Sequence, residues 1–148
     1  MLYIETSAVL TWLFGEPEGK HVVNAVNAAE RVLTSTLTVL ETERALIRAV
    51  RTEVLTEVKA ARLRKVFRDN LRGWELMEIT SEIQARAAAP FPVEPVRSLD
   101  ALHLATGLSF VEIYGDLQFL SFDSRILANL GPLGFQTLER PYKSTPRT

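Results

Sequence analysis

Apolar and polar positions along this chain switch repeatedly between a period of two and a period near 3.6, and the switches mark out its elements. Leu2-Tyr3-Ile4 is a short β-prone run closed by Glu5, and Thr6-Ser7-Ala8 then signals a helix start. That first helix carries Val9, Leu10, Trp12 and Leu13 to a turn at Gly15-Glu16-Pro17. A second helix over about 19–29 leads into a strand at Arg31-Val32-Leu33-Thr34. From Ser35 to about Arg51 the helical period places Leu37, Leu40, Ala45 and Ile47 on one side. A further helix spans about Val54 to Leu71, and Glu75-Leu76-Met77-Glu78-Ile79 alternates as a strand does. Thr80 or Ser81 caps the next helix, which stops before Pro90 and Pro92. Ser98 opens a helix through Leu104 and Leu108, and Phe119 to Phe122 is a strand. Asp123 caps a helix ending at Gly131-Pro132, and Phe135 to Leu138 is the last strand.

Short strands alternating with helices predict an α/β protein, a three-layer α/β/α sandwich around a mostly parallel sheet. No repeat or linker interrupts the pattern, so residues 1–138 are expected to form one domain. Residues 139–148, polar with two prolines, form a loosely held tail. In such sheets ligands bind beyond the carboxyl ends of the strands, near the switch in strand order. The residue after each strand is therefore where chemistry is sought.

Composition narrows that chemistry. The chain of 148 residues has no cysteine, which removes disulfides, thiolate catalysis, Cys-type zinc sites and iron–sulfur clusters. With His21 and His103 its only histidines, a bound metal must take mostly oxygen ligands, which suits Mg²⁺ or Mn²⁺. No apolar run approaches the ~20 residues of a membrane helix. The N-terminus lacks a basic n-region, so a cytoplasmic location without membrane contact is expected. The net charge of −1 gives no overall electrostatic argument for a polyanionic partner, so any such argument must be local. Residues 44–72 differ: nine basic residues, including Arg44, Arg48 and Arg51, face only Glu53, Glu57 and Asp69. That helical pair either tracks an RNA backbone or acidic partner peptide, or is a solvated face.

Four acids fall where the topology directs attention. Glu5 closes the first strand and Asp123 follows a later one, so a parallel sheet sets both at one edge. Asp100 lies in the first turn of the helix opened by Ser98. Glu41 shares a helix side with Leu37 and Ala45. Each acid also has a purely structural reading. Asp123 is a good N-cap, Asp100 complements a helix dipole, and Glu41 pairs with Arg44 or Arg48 in solvent. Their joint occurrence carries more weight, because clustered carboxylates repel and a fold gains nothing from them without a cation. Divalent ions relieve that repulsion and activate water for phosphoryl displacement, so phosphodiester hydrolysis is the expected chemistry.

The residues around these acids resemble the PIN-domain nucleases. Tyr3-Ile4-Glu5-Thr6-Ser7-Ala8 resembles the family's opening motif, and Thr34 to Glu41 its second, rich in Ser, Thr and Leu. Ser98-Leu99-Asp100-Ala101-Leu102-His103-Leu104-Ala105 is similar to its third, and Leu120-Ser121-Phe122-Asp123 to its fourth. The likeness is greatest to VapC-type toxins. It implies a Mg²⁺-dependent ribonuclease whose catalytic and metal-holding residues are Glu5, Glu41, Asp100 and Asp123. It also implies an RNA substrate and a small antitoxin partner, and a homodimer is expected. The family's first acid is usually Asp, and Glu5 extends it by one methylene. A PIN-like module that binds RNA or a partner without cutting is the alternative.

Smaller features complete the candidate site. Thr6 and Ser7 either orient Glu5 or cap the first helix. Ser121 bonds a ligand carboxylate, an attacking water, or backbone. His103, one turn beyond Asp100, either approaches substrate or serves structure. Trp12, Phe14, Phe110 and Val111 are read as core or dimer contacts. A receiver domain is disfavoured, because the last strand runs into Glu139-Arg140-Pro141 with no lysine to complete that site.

Overall fold

The computed structural model describes residues 1–138, so the expected 139–148 tail lies outside the described residues. In chain order the elements are β1 (Leu2–Ile4), α1 (Thr6–Leu13), α2 (Gly19–Ala28), β2 (Val32–Ser35), α3 (Thr36–Arg51) and α4 (Glu57–Leu71). They continue with β3 (Glu75–Met77), α5 (Ser81–Ala87), α6 (Ser98–Tyr114), β4 (Gln118–Leu120), α7 (Ser124–Leu130) and β5 (Gln136–Thr137).

Alternation within three-residue strands builds a core on each side of the sheet. Leu2 and Ile4 of β1, Val32 of β2 and Leu120 of β4 pack with Ala8, Val9, Val22 and Phe67, under α1, α2 and α4. Tyr3, Leu33 and Phe119, one position out of phase, pack with Leu104, Phe110, Ile126 and Leu130 of α6 and α7. Each buried aliphatic or aromatic side chain contributes about 1.5–3 kcal/mol, so both faces are firmly covered. The three layers expected from the sequence are present.

The sheet is parallel throughout, in the order β3-β2-β1-β4-β5. From β1 the chain builds outward through β2 and β3, then returns to lay β4 against the other side of β1. Strand order reverses there, so the β1/β4 boundary is the switch point where ligands are expected. Tyr3 pairs with Phe119 and Ile4 with Leu120 across it. Gly107 lets α6 lie close over this boundary, because a Cβ there would stand 2.8 Å from Phe119 Cε2 and 3.0 Å from Phe135 Cζ.

Several boundaries and one helix face differ from the pattern reading. In α3 the buried residues are Leu37, Thr38, Thr42, Leu46 and Ala49, whereas Leu40 and Ile47 are 59% and 40% exposed. Threonine methyls pack as small apolar groups, and Thr38 accepts a hydrogen bond from Thr34, so a count of apolar letters misplaces the face. Among the described residues, Thr42 Oγ1 has no hydrogen-bond partner. Helix α4 starts at Glu57, not near Val54, because Thr56 caps it by accepting from the Lys59 amide. Strand β3 ends at Met77, and Thr80, not Ser81, caps α5. Ser98 is the first residue of α6, with Arg97 in the cap position. Strand β4 ends at Leu120, and beyond it the Phe122 amide leaves the ladder to donate to Ser7 Oγ at the start of α1.

Candidate functional site

Beyond the carboxyl end of β1 the chain turns directly into α1, and Glu5 is the residue that makes the turn. Neither Thr6 nor Ser7 is the cap. Glu5 itself fills that position, with Oε1 accepting from the Ser7 amide at 3.1 Å. Its other oxygen accepts from Ser7 Oγ at 2.5 Å and Ser121 Oγ at 2.8 Å. The carboxylate is 5% exposed, so these hydroxyls stand where water would otherwise solvate it. Ser121 lies just past β4, and the parallel β1/β4 pairing is what brings it to Glu5.

Glu41, on α3, does not pair with Arg44 or Arg48. Its Oε1 accepts from Thr6 Oγ1 at 2.7 Å and meets His103 Nε2 at 2.6 Å. Burial pushes the Glu41 carboxyl up, but the hydrogen bond and charge of His103 and the Thr6 bond together outweigh it, leaving the group below its ordinary range. His103 Nε2 is also 3.9 Å from Glu5 Oε1. His103 and the two glutamates each offer a potential ligand atom, all within 4.8 Å of one another.

Asp100 and Asp123 are gathered by a cation. Arg97 Nε is 3.3 Å from Asp100 Oδ2, and its Nη2 is 3.6 Å from Asp123 Oδ2. Asp123 serves its structural role with the opposite oxygen, since Oδ1 accepts from the Arg125 and Ile126 amides at the start of α7. The cap and the site therefore do not compete for one atom. Asp100 occupies the first turn of α6, one turn before His103.

A continuous chain of polar contacts thus joins elements far apart in sequence. It runs from Glu41 through His103 to Glu5, across Ser121 to the Asp123 turn, and through Arg97 to Asp100. These contacts link Glu5, Glu41, Asp100 and Asp123 with Thr6, Ser7 and Ser121, and the close group among the described residues is Glu5, Glu41 and His103. Arg44, Arg48 and Arg51 lie exposed along α3, and none forms an ion pair among the described residues. Neighbouring basic charge is partly neutralised, because Arg64 and Arg68 both bind Glu43 and Lys65 binds Asp69.

Two contributors, Arg97 and Tyr3, escaped the sequence reading, and the role of His103 was left open. His103 is neither exposed to substrate nor an isolated core residue, but a partner of Glu41 that is 1% exposed. Arg97 and Tyr3 were not singled out; Tyr3 bonds His103 Nδ1 at 2.9 Å. Spacing held a signal for two of them, since Arg97 and His103 lie three residues before and after Asp100, on its side of a helix.

Comparison with known proteins gives a consistent set of similarities. The PIN domain profile matches residues 2–131. Ribonuclease VapC35 of Mycobacterium tuberculosis is 33% identical over 128 residues, 85% of this chain and 87% of that protein. A toxin-antitoxin complex from Klebsiella pneumoniae contains a chain of similar fold, with a TM-score of 0.64 and 16% identity, over 94% of this chain and 97% of that one. VapBC2 from Rickettsia felis, bound to a DNA fragment from its promoter, gives a TM-score of 0.63 at 8% identity, over 94% and 100%.

Proposed function

The chain belongs to the PIN-domain family, and on that premise we propose that it is a divalent-metal-dependent endoribonuclease, the toxin of a VapBC-type toxin–antitoxin pair. One observation carries the reading: Glu5, Glu41, Asp100 and Asp123 are linked by a chain of polar contacts at the β1/β4 switch point. Its 33% identical relative is a ribonuclease, which supports RNA as substrate. The structural neighbours come from toxin–antitoxin complexes, and a small antitoxin is the protein partner we assign.

The donor set fits a hard divalent cation, since four carboxylates supply oxygen and a carboxylate oxygen of Glu5 lies within 4.8 Å of one of Glu41. Glu5, Glu41, Asp100 and Asp123 would hold Mg²⁺ or Mn²⁺, directly or through water. Once bound, the ion would supply activation of a water and would offset charge on the phosphate being cut. The protein's own part is to aim the oxygens. Ser7 and Ser121 fix Glu5, Thr6 fixes Glu41, and the α7 amides fix Asp123. Arg44, Arg48 and Arg51, on the helix that carries Glu41, are assigned to RNA phosphates or an acidic antitoxin segment.

A homodimer in the cytoplasm completes the reading. Leu99 and Ile113, on one side of α6, are 48% and 60% exposed and offer an apolar surface to a second copy. Sedimentation of the purified chain tests this point.

The central test is cleavage. Purified protein should cut RNA with Mg²⁺ or Mn²⁺, and Asp100→Asn should abolish it. Cleavage that survives both EDTA and that substitution sinks the proposal. Saturating Mn²⁺ should also raise stability, by about 2.7 kcal/mol at one hundred times Kd. A melt unmoved by Mn²⁺ favours the module that binds without cutting.

A further inference from the structure

Tyr3, His103 and Glu41 form a buried line of hydrogen bonds that ends on one oxygen of a single acid. Tyr3 and His103 are 0% and 1% exposed, so neither is placed to touch substrate. The direction of the bond to Glu41 follows from the end group. A carboxylate only accepts, so His103 Nε2 carries the proton donated to Glu41 Oε1. The other ring nitrogen, Nδ1, shares a hydrogen bond with the Tyr3 hydroxyl at 2.9 Å. Thr6 Oγ1 adds a second donor to Glu41 Oε1 at 2.7 Å. Among the described residues, no hydrogen bond reaches Glu41 Oε2.

Glu41 has most need of such support. Glu5 and Asp123 are fixed by turns at the ends of adjacent strands. Glu41 instead projects from the middle of α3, with three side-chain torsions to settle before its oxygen can be aimed. We propose that His103, held in turn by Tyr3, is a positioning residue: it commits Glu41 Oε1 and so presents Oε2 to the divalent cation, without ligating the cation itself. The inference rests on the metal-dependent reading given above. Partners of metal-binding carboxylates and imidazoles commonly govern affinity by roughly 10–100-fold.

Mn²⁺ binding to the folded protein tests the role without recourse to activity. Titration calorimetry gives Kd, and electron paramagnetic resonance of the bound ion reports its ligands. His103→Ala, with its fold checked by circular dichroism, should bind Mn²⁺ roughly 10–100-fold more weakly. His103→Gln, whose amide still donates toward Oε1, should recover most of that loss. Tyr3→Phe keeps the ring and should fall between Ala and wild type. Bound Mn²⁺ in the wild type should show no ¹⁴N coupling from an imidazole. Unchanged affinity in His103→Ala, no recovery in His103→Gln, or a directly coupled nitrogen overturns the positioning role. If His103→Ala does not fold, unchanged affinity in Tyr3→Phe overturns it instead. A wild type that binds no Mn²⁺ is a separate result, since it sinks the metal reading and the positioning role together.

Discussion

Ser121, just beyond β4, donates its hydroxyl to Glu5 Oε2 at 2.8 Å and so ties the acid ending β1 to the neighbouring strand. Glu5 is 5% exposed, and water cannot readily replace the lost donor. Hydrogen bonds to charged groups contribute about 1.5–3 kcal/mol. Ser121→Ala should therefore lower the unfolding free energy by about that amount, measured in urea with EDTA present. A change below about 0.5 kcal/mol would mean that Ser7 alone holds the carboxylate.

Arg97 supplies the positive charge between Asp100 and Asp123, yet its side chain is 64% exposed and readily withdrawn. A divalent ion must compete with it for the same two carboxylates. Exposed ion pairs contribute about 0.2–1 kcal/mol each, so losing both should tighten Mn²⁺ binding about two- to thirtyfold in Arg97→Gln. Calorimetry reads the change directly. Weaker binding in the variant would assign Arg97 the opposite role, as a support of the site.

The lowered Glu41 carboxyl has a defined consequence for acid stability. Its folded pKa lies below the unfolded one, so the stabilisation is complete above the unfolded value and is lost as pH falls through the folded value. Melting temperature in EDTA should decline across that acid range. Glu41→Gln, which has no proton to take up there, should flatten the decline. An identical acid slope in the variant would trace the loss to other carboxylates.

Gly107 sits in mid-helix, where alanine is intrinsically favoured by about 1 kcal/mol. Packing reverses that preference, because the new methyl would stand 2.8 Å from Phe119 and 3.0 Å from Phe135. Gly107→Ala should destabilise the protein by about 1–3 kcal/mol in thermal or urea unfolding. A gain in stability would show that the two rings yield at little cost.

The parts legible in the sequence were those with a local cause. A strand of three apolar residues ending in Glu5, and Asp123 as the cap of α7, need only neighbouring residues to be read. The sandwich likewise followed from the alternation of elements, and its parallel sheet set Glu5 and Asp123 at one edge. What was missed depends on partners distant in the chain. Whether His103 serves structure or the site is decided by Glu41, 62 positions away, and by Tyr3, 100 positions away. Arg97 acquires its role only when the end of β4 brings Asp123 beside Asp100. The misjudged face of α3 has a different cause. Thr38 and Thr42 count as polar letters, yet they are buried while Leu40 is not.

The strand order also divides this molecule into two unequal halves, joined where β1 pairs with β4 and where α5 packs on α6. Strands β1, β2 and β3, with Glu5 and Glu41, precede the stretch 88–97, and β4 and β5, with Asp100 and Asp123, follow it. Most of that stretch lies exposed, with Phe91 its buried anchor. A chain severed there would leave two acids on each fragment, and neither fragment alone could assemble the site. Each fragment would need the other to complete the proposed site, which therefore depends on the pairing of two strands more than a hundred residues apart.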